Sequence, residues 1–134
     1  QEIAHGKWEG LLAQEIAERD PVTFPAWRDA PQTVQMPGGE SIQQVLERAW
    51  QGFAAACENL GENDTLLLVA HDAVNRVLLC KILGLDLDRL WAFRQAPTTL
   101  NLLEGESVDT LSVVRLNDCH HHTPLFGEAL HRAL

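Results

Sequence analysis

The feature that most constrains the fold is a short apolar run that ends in a histidine and passes directly into a helical pattern. The run covers residues 66–70, the histidine is His71, and the helical pattern covers residues 73–83. A bounded apolar run of this length is typical of a strand buried on both faces of a parallel sheet. The sequence therefore predicts an α/β fold in which His71 emerges at the carboxyl end of a strand, where open sheets bind ligands.

The same run predicts an incomplete sheet, because a strand of this kind needs a neighbour on each side. The alternating patterns at residues 99–103 and 110–116 predict a C-terminal hairpin, with the turn at residues 104–106. These strands are too few to cover residues 66–70. We therefore expect the sheet to be completed by a second chain or a symmetry-related copy.

Helical spacing predicts the remaining elements. A first helix is expected at residues 8–19 and a short one at residues 86–93. Ser41 and Gln44 form a capping box that opens the most regular helical pattern of the chain. The proline-rich residues 21–39 are expected to be irregular, either as a lid or rim of a site or as a packed surface loop.

Composition narrows the function. A formal net charge of −9, from ten Lys and Arg against nineteen Asp and Glu, argues against nucleic-acid binding. No stretch is apolar and long enough to cross a membrane. Cys57, Cys80 and Cys119 have the spacing of neither a disulfide framework nor a zinc knuckle, which suits the reducing cytoplasm. Residues 1–134 are expected to form a single domain, and the start without Met suggests a fragment or a processed piece.

Few residues are candidates for chemistry. His71 can be a phosphate-binding group at a helix N-terminus or a satisfied buried imidazole. Glu2 can be a general acid or a solvated carboxylate near a terminus. Adjacent His71 and Asp72 can bind a divalent metal only with further ligands, and the three histidines at 120–122 read as a solvated tail or a weak metal site.

Four stretches, taken in order, resemble the histidine phosphatase superfamily, whose fold is that of the phosphoglycerate mutases. The first is Glu-Ile-Ala-His-Gly-Lys-Trp-Glu-Gly from Glu2, and the second is Pro-Gly-Gly-Glu-Ser from Pro37, followed by Arg48. The third is Leu-Val-Ala-His-Asp-Ala-Val-Asn-Arg around His71, and the fourth is Leu-Asn-Asp from Leu116. The resemblance covers nearly the whole chain.

The resemblance implies a phosphomonoesterase or phosphomutase that acts through a phosphohistidine intermediate and needs neither metal nor cofactor. Glu2 resembles the residue that protonates the leaving group, and His71 resembles the second histidine of the phosphate pocket. Asp72 is predicted to bind phosphate together with His71, although it stands where the family most often has glycine. Its carboxylate would repel the ligand unless it is paired or points away. The chain contains no Arg-His-Gly motif, which carries the nucleophile of the family.

The resemblance therefore predicts the C-terminal portion of a three-layer α/β sandwich with a mostly parallel sheet. The expected ligand is a phosphorylated small molecule, and this chain alone is expected to show no turnover. A non-catalytic derivative that binds phosphorylated ligands or a partner, and a metal-dependent phosphohydrolase, are the alternatives. If Glu2 and His71 serve one phosphate ester, their side chains should lie about 4–8 Å apart.

Overall fold

The computed structural model of the chain describes residues 1–121. Within them, four α-helices precede a two-stranded sheet, and single turns of 3-10 helix lie at Gly6–Trp8, Pro31–Thr33 and Leu87–Arg89. The α-helices and strands are α1 (Ala13–Arg19), α2 (Thr23–Asp29), α3 (Ile42–Cys57), α4 (Asp72–Ile82), β1 (Leu100–Glu104) and β2 (Ser112–Asp118).

The capping box predicted at the start of α3 is confirmed. The hydroxyl of Ser41 accepts a hydrogen bond from the backbone N–H of Gln44 at 3.2 Å, and the Gln44 side chain accepts one from the Ser41 N–H at 2.8 Å. Two N–H groups that the helix leaves without partners are thereby satisfied. The cap fixes where α3 begins, and so fixes the position of Arg48 two turns later.

Two expectations for the first forty residues are wrong. The predicted helix at residues 8–19 is split, because Gly10 adopts a φ of 76° and α1 begins only at Ala13. The segment expected to be irregular contains α2, whose first turn is supported by a hydrogen bond from the Thr23 N–H to the Asp20 carboxylate at 3.2 Å. Proline is tolerated there because the first turn of a helix lacks intrahelical acceptors for its N–H groups.

The core lies between α3, α4 and the first forty residues, so these helices form one packed unit. Trp27 of α2 is 2% exposed and meets Trp91 edge to face, with ring centroids 5.5 Å apart. The indole N–H of Trp91 donates to the Trp27 carbonyl at 3.1 Å. Fully buried side chains in this core include Ile16, Met36, Ile42, Val45, Val77, Cys80 and Leu90.

The predicted parallel sheet is not confirmed. Residues 66–70 precede α4 as expected, but they pair with no strand among residues 1–121, and Leu67 and Val69 are 78% and 86% exposed. The hairpin is confirmed as an antiparallel pair of β1 and β2 with irregular register. An apolar run becomes a strand only when another backbone satisfies its N–H and C=O groups, and the described residues supply no such partner to residues 66–70.

Candidate active site

His71 occupies the N-cap of α4. Its backbone is extended, with φ −111° and ψ 172°, and its carbonyl accepts the first helical hydrogen bond from the Asn75 N–H at 2.9 Å. The imidazole caps no backbone group of the helix, and the residue is exposed. Among residues 1–121 no group hydrogen-bonds this ring, so both ring nitrogens are free for a ligand.

Glu2 reaches the same helix terminus. One oxygen of its carboxylate accepts a hydrogen bond from the Ala73 N–H at 3.2 Å, and the other accepts one from the Ile3 N–H at 2.8 Å. Ala73 is two residues beyond His71, so residues far apart in the sequence meet at one end of α4. The structure thus brings Glu2 and His71 to one helix terminus, while the roles predicted for them remain predictions.

The backbone of Glu2 is held by Arg48 of α3. The guanidinium donates to the carbonyl of Gln1 at 3.0 Å and to that of Glu2 at 3.1 Å. It also forms a forked pair with Glu40, with nitrogen–oxygen distances of 2.7 and 2.9 Å. The Arg48 guanidinium lowers the pKa of the Glu40 carboxyl, and Glu40 in turn raises the pKa of Arg48, so both groups stay charged.

Asp72 is paired. Its carboxylate accepts a hydrogen bond from Nε of Arg76, one helical turn later, at 2.9 Å. Arg76 is 7% exposed, and its other donors bind the carbonyls of Leu90 at 3.0 Å and Phe93 at 2.6 Å. The negative charge of Asp72, beside the predicted phosphate site, is therefore matched by a buried positive charge.

An open cleft of about 400 Å³ lies next to this terminus, and His71 and Asp72 line it. One wall is the apolar run at residues 67–70, and the other is the segment 95–100 that leads into β1. Thr98 in the second wall has a φ of 62°, a conformation that L-residues rarely adopt. A cleft of this size accommodates a small phosphate ester.

A polar network shapes the second wall. Gln95, which is 5% exposed, exchanges hydrogen bonds with the Asn101 side chain at 3.0 and 2.7 Å. The Asn117 side chain accepts from the Ala96 N–H at 2.7 Å. Buried amides satisfied in this way fix a loop, because an alternative conformation would leave them without partners. The wall that faces His71 is therefore held by side chains from both strands of the hairpin.

Nothing in the described part of the chain assembles a metal site. No group of three or more His, Cys, Asp and Glu side chains is placed to hold an ion within residues 1–121. His120 instead pairs with Asp118 at 2.9 Å. The His120 N–H and the Arg115 guanidinium together hold the pKa of the Asp118 carboxyl well below its ordinary value. His122, the last of the three histidines predicted to form a solvated tail or a weak metal site, lies outside the described residues.

Sequence reasoning missed the residues that support the site. Arg48 was noted only as part of a motif, and Arg76 was assigned no role. The i,i+4 spacing of Asp72 and Arg76 was a readable signal for an ion pair within α4. No sequence pattern predicts the contacts of Arg48 with residues 1 and 2, or those of Gln95 with Asn101. They depend on the conformation of the loops in the folded chain.

Comparisons with known proteins identify the family of the chain. The family model described as histidine phosphatase superfamily (branch 1) matches residues 1–119, and the chain belongs to this superfamily. It is 32% identical over 133 residues to phosphoserine phosphatase 1 of Hydrogenobacter thermophilus, and this alignment covers 99% of this chain and 62% of that protein. It is 25% identical over 93 residues to the adenosylcobalamin/alpha-ribazole phosphatase of Escherichia coli, covering 69% of this chain and 45% of that enzyme.

Solved structures show the same fold. The structure of Bacillus stearothermophilus YhfR matches with a TM-score of 0.83 and 29% identity, over 90% of this chain and 59% of that one. A mycobacterial glucosyl-3-phosphoglycerate phosphatase matches with a TM-score of 0.73 at 23% identity, over 87% of this chain and 62% of that one. The chain thus spans less than two thirds of the length of each of these relatives. No helix among the described residues is long and apolar enough to span a bilayer.

Proposed function

We propose that the chain forms part of the active site of a phosphomonoesterase that works through a phosphohistidine intermediate. In this proposal Glu2 is the proton donor, and His71 is the second histidine of the phosphate pocket. The observation that carries the proposal is the hydrogen bond from the Ala73 N–H to the Glu2 carboxylate at 3.2 Å, at the start of the helix that His71 caps. This contact brings Glu2 to the helix terminus that His71 caps, as required if a general acid and a phosphate-binding group act on one ester.

Three features favour a phosphoryl group at this terminus. The dipole of α4 and its first N–H groups attract an anion. The His71 ring is free among the described residues and lies on the cleft. Asp72, also proposed to bind phosphate, is expected to act through its backbone N–H, because Arg76 holds its carboxylate.

The proposed reaction has two steps. A histidine nitrogen attacks phosphorus, the bond from phosphorus to the leaving oxygen breaks, and Glu2 transfers its proton to that oxygen. Water then attacks the phosphohistidine, the nitrogen–phosphorus bond breaks, and the Glu2 carboxylate takes the proton of the water as phosphate leaves. If another hydroxyl group of the substrate replaces water in the second step and receives the phosphoryl group, the same site performs a phosphomutase reaction.

The attacking histidine is proposed to come from polypeptide outside this chain. The apolar residues 66–69 fit a neighbouring strand, since their side chains are exposed and their backbone pairs with no strand within residues 1–121. A strand added there would end beside His71, at the carboxyl edge where the resemblance puts the Arg-His-Gly motif. The expected substrate is a small phosphorylated molecule, and phosphoserine is the first to try, given the relative named above.

The test measures turnover of phosphoserine by a protein that contains this chain and an Arg-His-Gly segment. We expect Glu2→Gln and His71→Ala each to lower kcat/KM by about 100- to 10,000-fold, the usual range for loss of an acid or a phosphoryl-binding group. The matched control is His120→Ala, because the His120 ring is 98% exposed and lies outside the cleft. This control should keep wild-type activity.

Two results would contradict the proposal. Tight phosphoserine binding with no turnover by the wild-type protein would identify a non-catalytic derivative of the fold. Turnover by this chain alone that survives a chelator and disappears in His71→Ala would mean that His71 itself accepts the phosphoryl group.

A further inference from the structure

Glu2 is fixed through its backbone on both sides. Arg48 binds the carbonyls of residues 1 and 2, as described above, and Glu40 binds the next peptide group along the chain. The Glu40 carboxylate accepts from the Ala4 N–H at 2.9 Å, and the Glu40 N–H donates to the Ala4 carbonyl at 2.8 Å. Residues 1–4 therefore lie along a bracket formed by the charged pair Glu40 and Arg48.

Two glycines let the bracket close. A side chain on Gly39 would collide with the Ala4 carbonyl oxygen, and one on Gly6 would collide with the backbone of Pro37 and Gly38. The Lys7 N–H donates to the Pro37 carbonyl at 2.9 Å across this crossing. Only glycine permits the two segments to approach this closely.

The bracket acts on the residue that meets α4. Arg48 donates two hydrogen bonds to the carbonyls of Gln1 and Glu2, in addition to the forked pair with Glu40 that balances its charge. A guanidinium is suited to this because its planar donors bind a carboxylate and neighbouring acceptors in fixed directions. With the Glu2 backbone held, the carboxylate reaches the Ala73 N–H, 71 residues further along the chain.

We infer that Arg48, paired with Glu40, is a positioning residue that holds Glu2 in reach of the leaving oxygen. This inference rests on the proposed function. It assigns Arg48 no contact with substrate. A displacement of the acid of about 1 Å can cost 100-fold in rate, so a residue that fixes the backbone of the acid controls the step that needs the proton.

The test uses two substrates that differ in their need for a proton donor. The alkoxide of phosphoserine is a poor leaving group and must be protonated, whereas p-nitrophenolate leaves from p-nitrophenyl phosphate without a proton. In a protein that contains this chain and an Arg-His-Gly segment, Glu2→Gln should lower kcat/KM for phosphoserine at least about 100-fold and kcat/KM for p-nitrophenyl phosphate less than about tenfold. The comparison uses kcat/KM because this constant reports phosphoryl transfer to histidine and not the later hydrolysis of the phosphohistidine, in which Glu2 acts for both substrates.

Arg48→Lys keeps the charge and loses the fork. If Arg48 positions Glu2, this variant should show the same pattern, with kcat/KM for phosphoserine lowered about 10- to 100-fold and kcat/KM for p-nitrophenyl phosphate nearly unchanged. The double variant with Glu2→Gln should be no slower than Glu2→Gln alone. The control is Arg19→Lys, whose pair with Glu15 is 63% exposed on the arginine side, and it should leave both substrates unaffected.

Equal losses for both substrates in Arg48→Lys, or no loss for either, would overturn the inference, because a role in folding alone lowers both rates together. If Arg48→Lys does not fold, Glu40→Gln replaces it with the same expected pattern and the same refuting outcomes. If Glu2→Gln itself fails to separate the two substrates, the proposed function fails as well. If Glu2→Gln separates them and the Arg48 and Glu40 variants do not, only the positioning role is wrong.

Discussion

Arg76→Ala should destabilise the fold far more than removal of an exposed arginine. Arg76 is 7% exposed and donates to Asp72 and to the carbonyls of Leu90 and Phe93. Its guanidinium also lies 5.1 Å from the centre of the Trp91 ring. The side chain thus joins the first turn of α4 to the segment that leads into the cleft wall.

The expected loss of stability follows from the polar groups that Arg76→Ala leaves without partners. Removing one partner of a buried ion pair costs about 3–5 kcal/mol. The Asp72 side chain keeps 21% exposure and lies in the first turn of a helix, where the dipole returns about 0.3–1 kcal/mol. The two carbonyls that lose their donor add about 1 kcal/mol each. We expect the free energy of unfolding to fall by about 4–7 kcal/mol, a large part of the stability of a small domain.

Urea unfolding followed by tryptophan fluorescence measures this loss. The matched control is Arg19→Ala, because Arg19 and Glu15 also form an i,i+4 pair but are 63% and 42% exposed. The control should lose less than about 0.5 kcal/mol. An Arg76→Ala variant within about 1 kcal/mol of the wild type would refute the reasoning, since the buried charge would then carry little of the packing.

Three further predictions concern the bracket and the core. Gly39→Ala should lower the free energy of unfolding by about 1–3 kcal/mol because the added Cβ meets the Ala4 carbonyl. Gly52→Ala, in open space within α3, should raise it by about 0.5–1 kcal/mol. Urea titration measures both changes, and a change in the same direction for both variants would contradict the close approach of Gly39 to Ala4. The hydrogen bond with Arg48 lowers the pKa of Glu40 in the folded state below its unfolded value of about 4.3. The stability that Glu40 contributes is therefore present above that pH and is lost as the pH falls through the folded-state pKa. Glu40→Gln should make the difference in the free energy of unfolding between pH 7 and pH 3 smaller, and an unchanged difference would argue against the pair with Arg48. The Cys80 side chain has no exposed surface, and burial raises the pKa of its thiol. An aromatic disulfide reagent should therefore label the partly exposed Cys119 at once and Cys80 only after unfolding. Prompt labelling of Cys80 would contradict its burial in the core.

The helices that pattern alone could predict are those whose ends carry local signals. Ser41 and Gln44 marked the start of α3, and His71 and Gly84 marked the limits of α4 within a residue or two. The helix α2 was missed because its prolines suggested a loop, whereas the buried Trp27 and its packing on Trp91 stabilise a helix there. Tertiary packing of this kind overrides local propensity.

The candidate site divides in the same way. His71 could be found because a strand pattern and a helix pattern meet at it, and Glu2 could be found only through the resemblance. The contacts that hold Glu2 in place come from Glu40 and Arg48, whose pairing with residues 1–4 depends on how two loops cross. The parallel sheet predicted around residues 66–70 requires a neighbouring backbone that a pattern within one segment cannot specify.

The central claim, that a phosphate ester binds at the start of α4 between His71 and Glu2, is tested most directly by phosphate titration followed by nitrogen-15 NMR. In a protein that contains this chain and an Arg-His-Gly segment, inorganic phosphate should shift the His71 ring nitrogens and the backbone amides of Asp72 and Ala73. The amide of Gly61, in an exposed turn beyond α3, should not move. Saturable shifts elsewhere with an unmoved His71 ring would contradict the account.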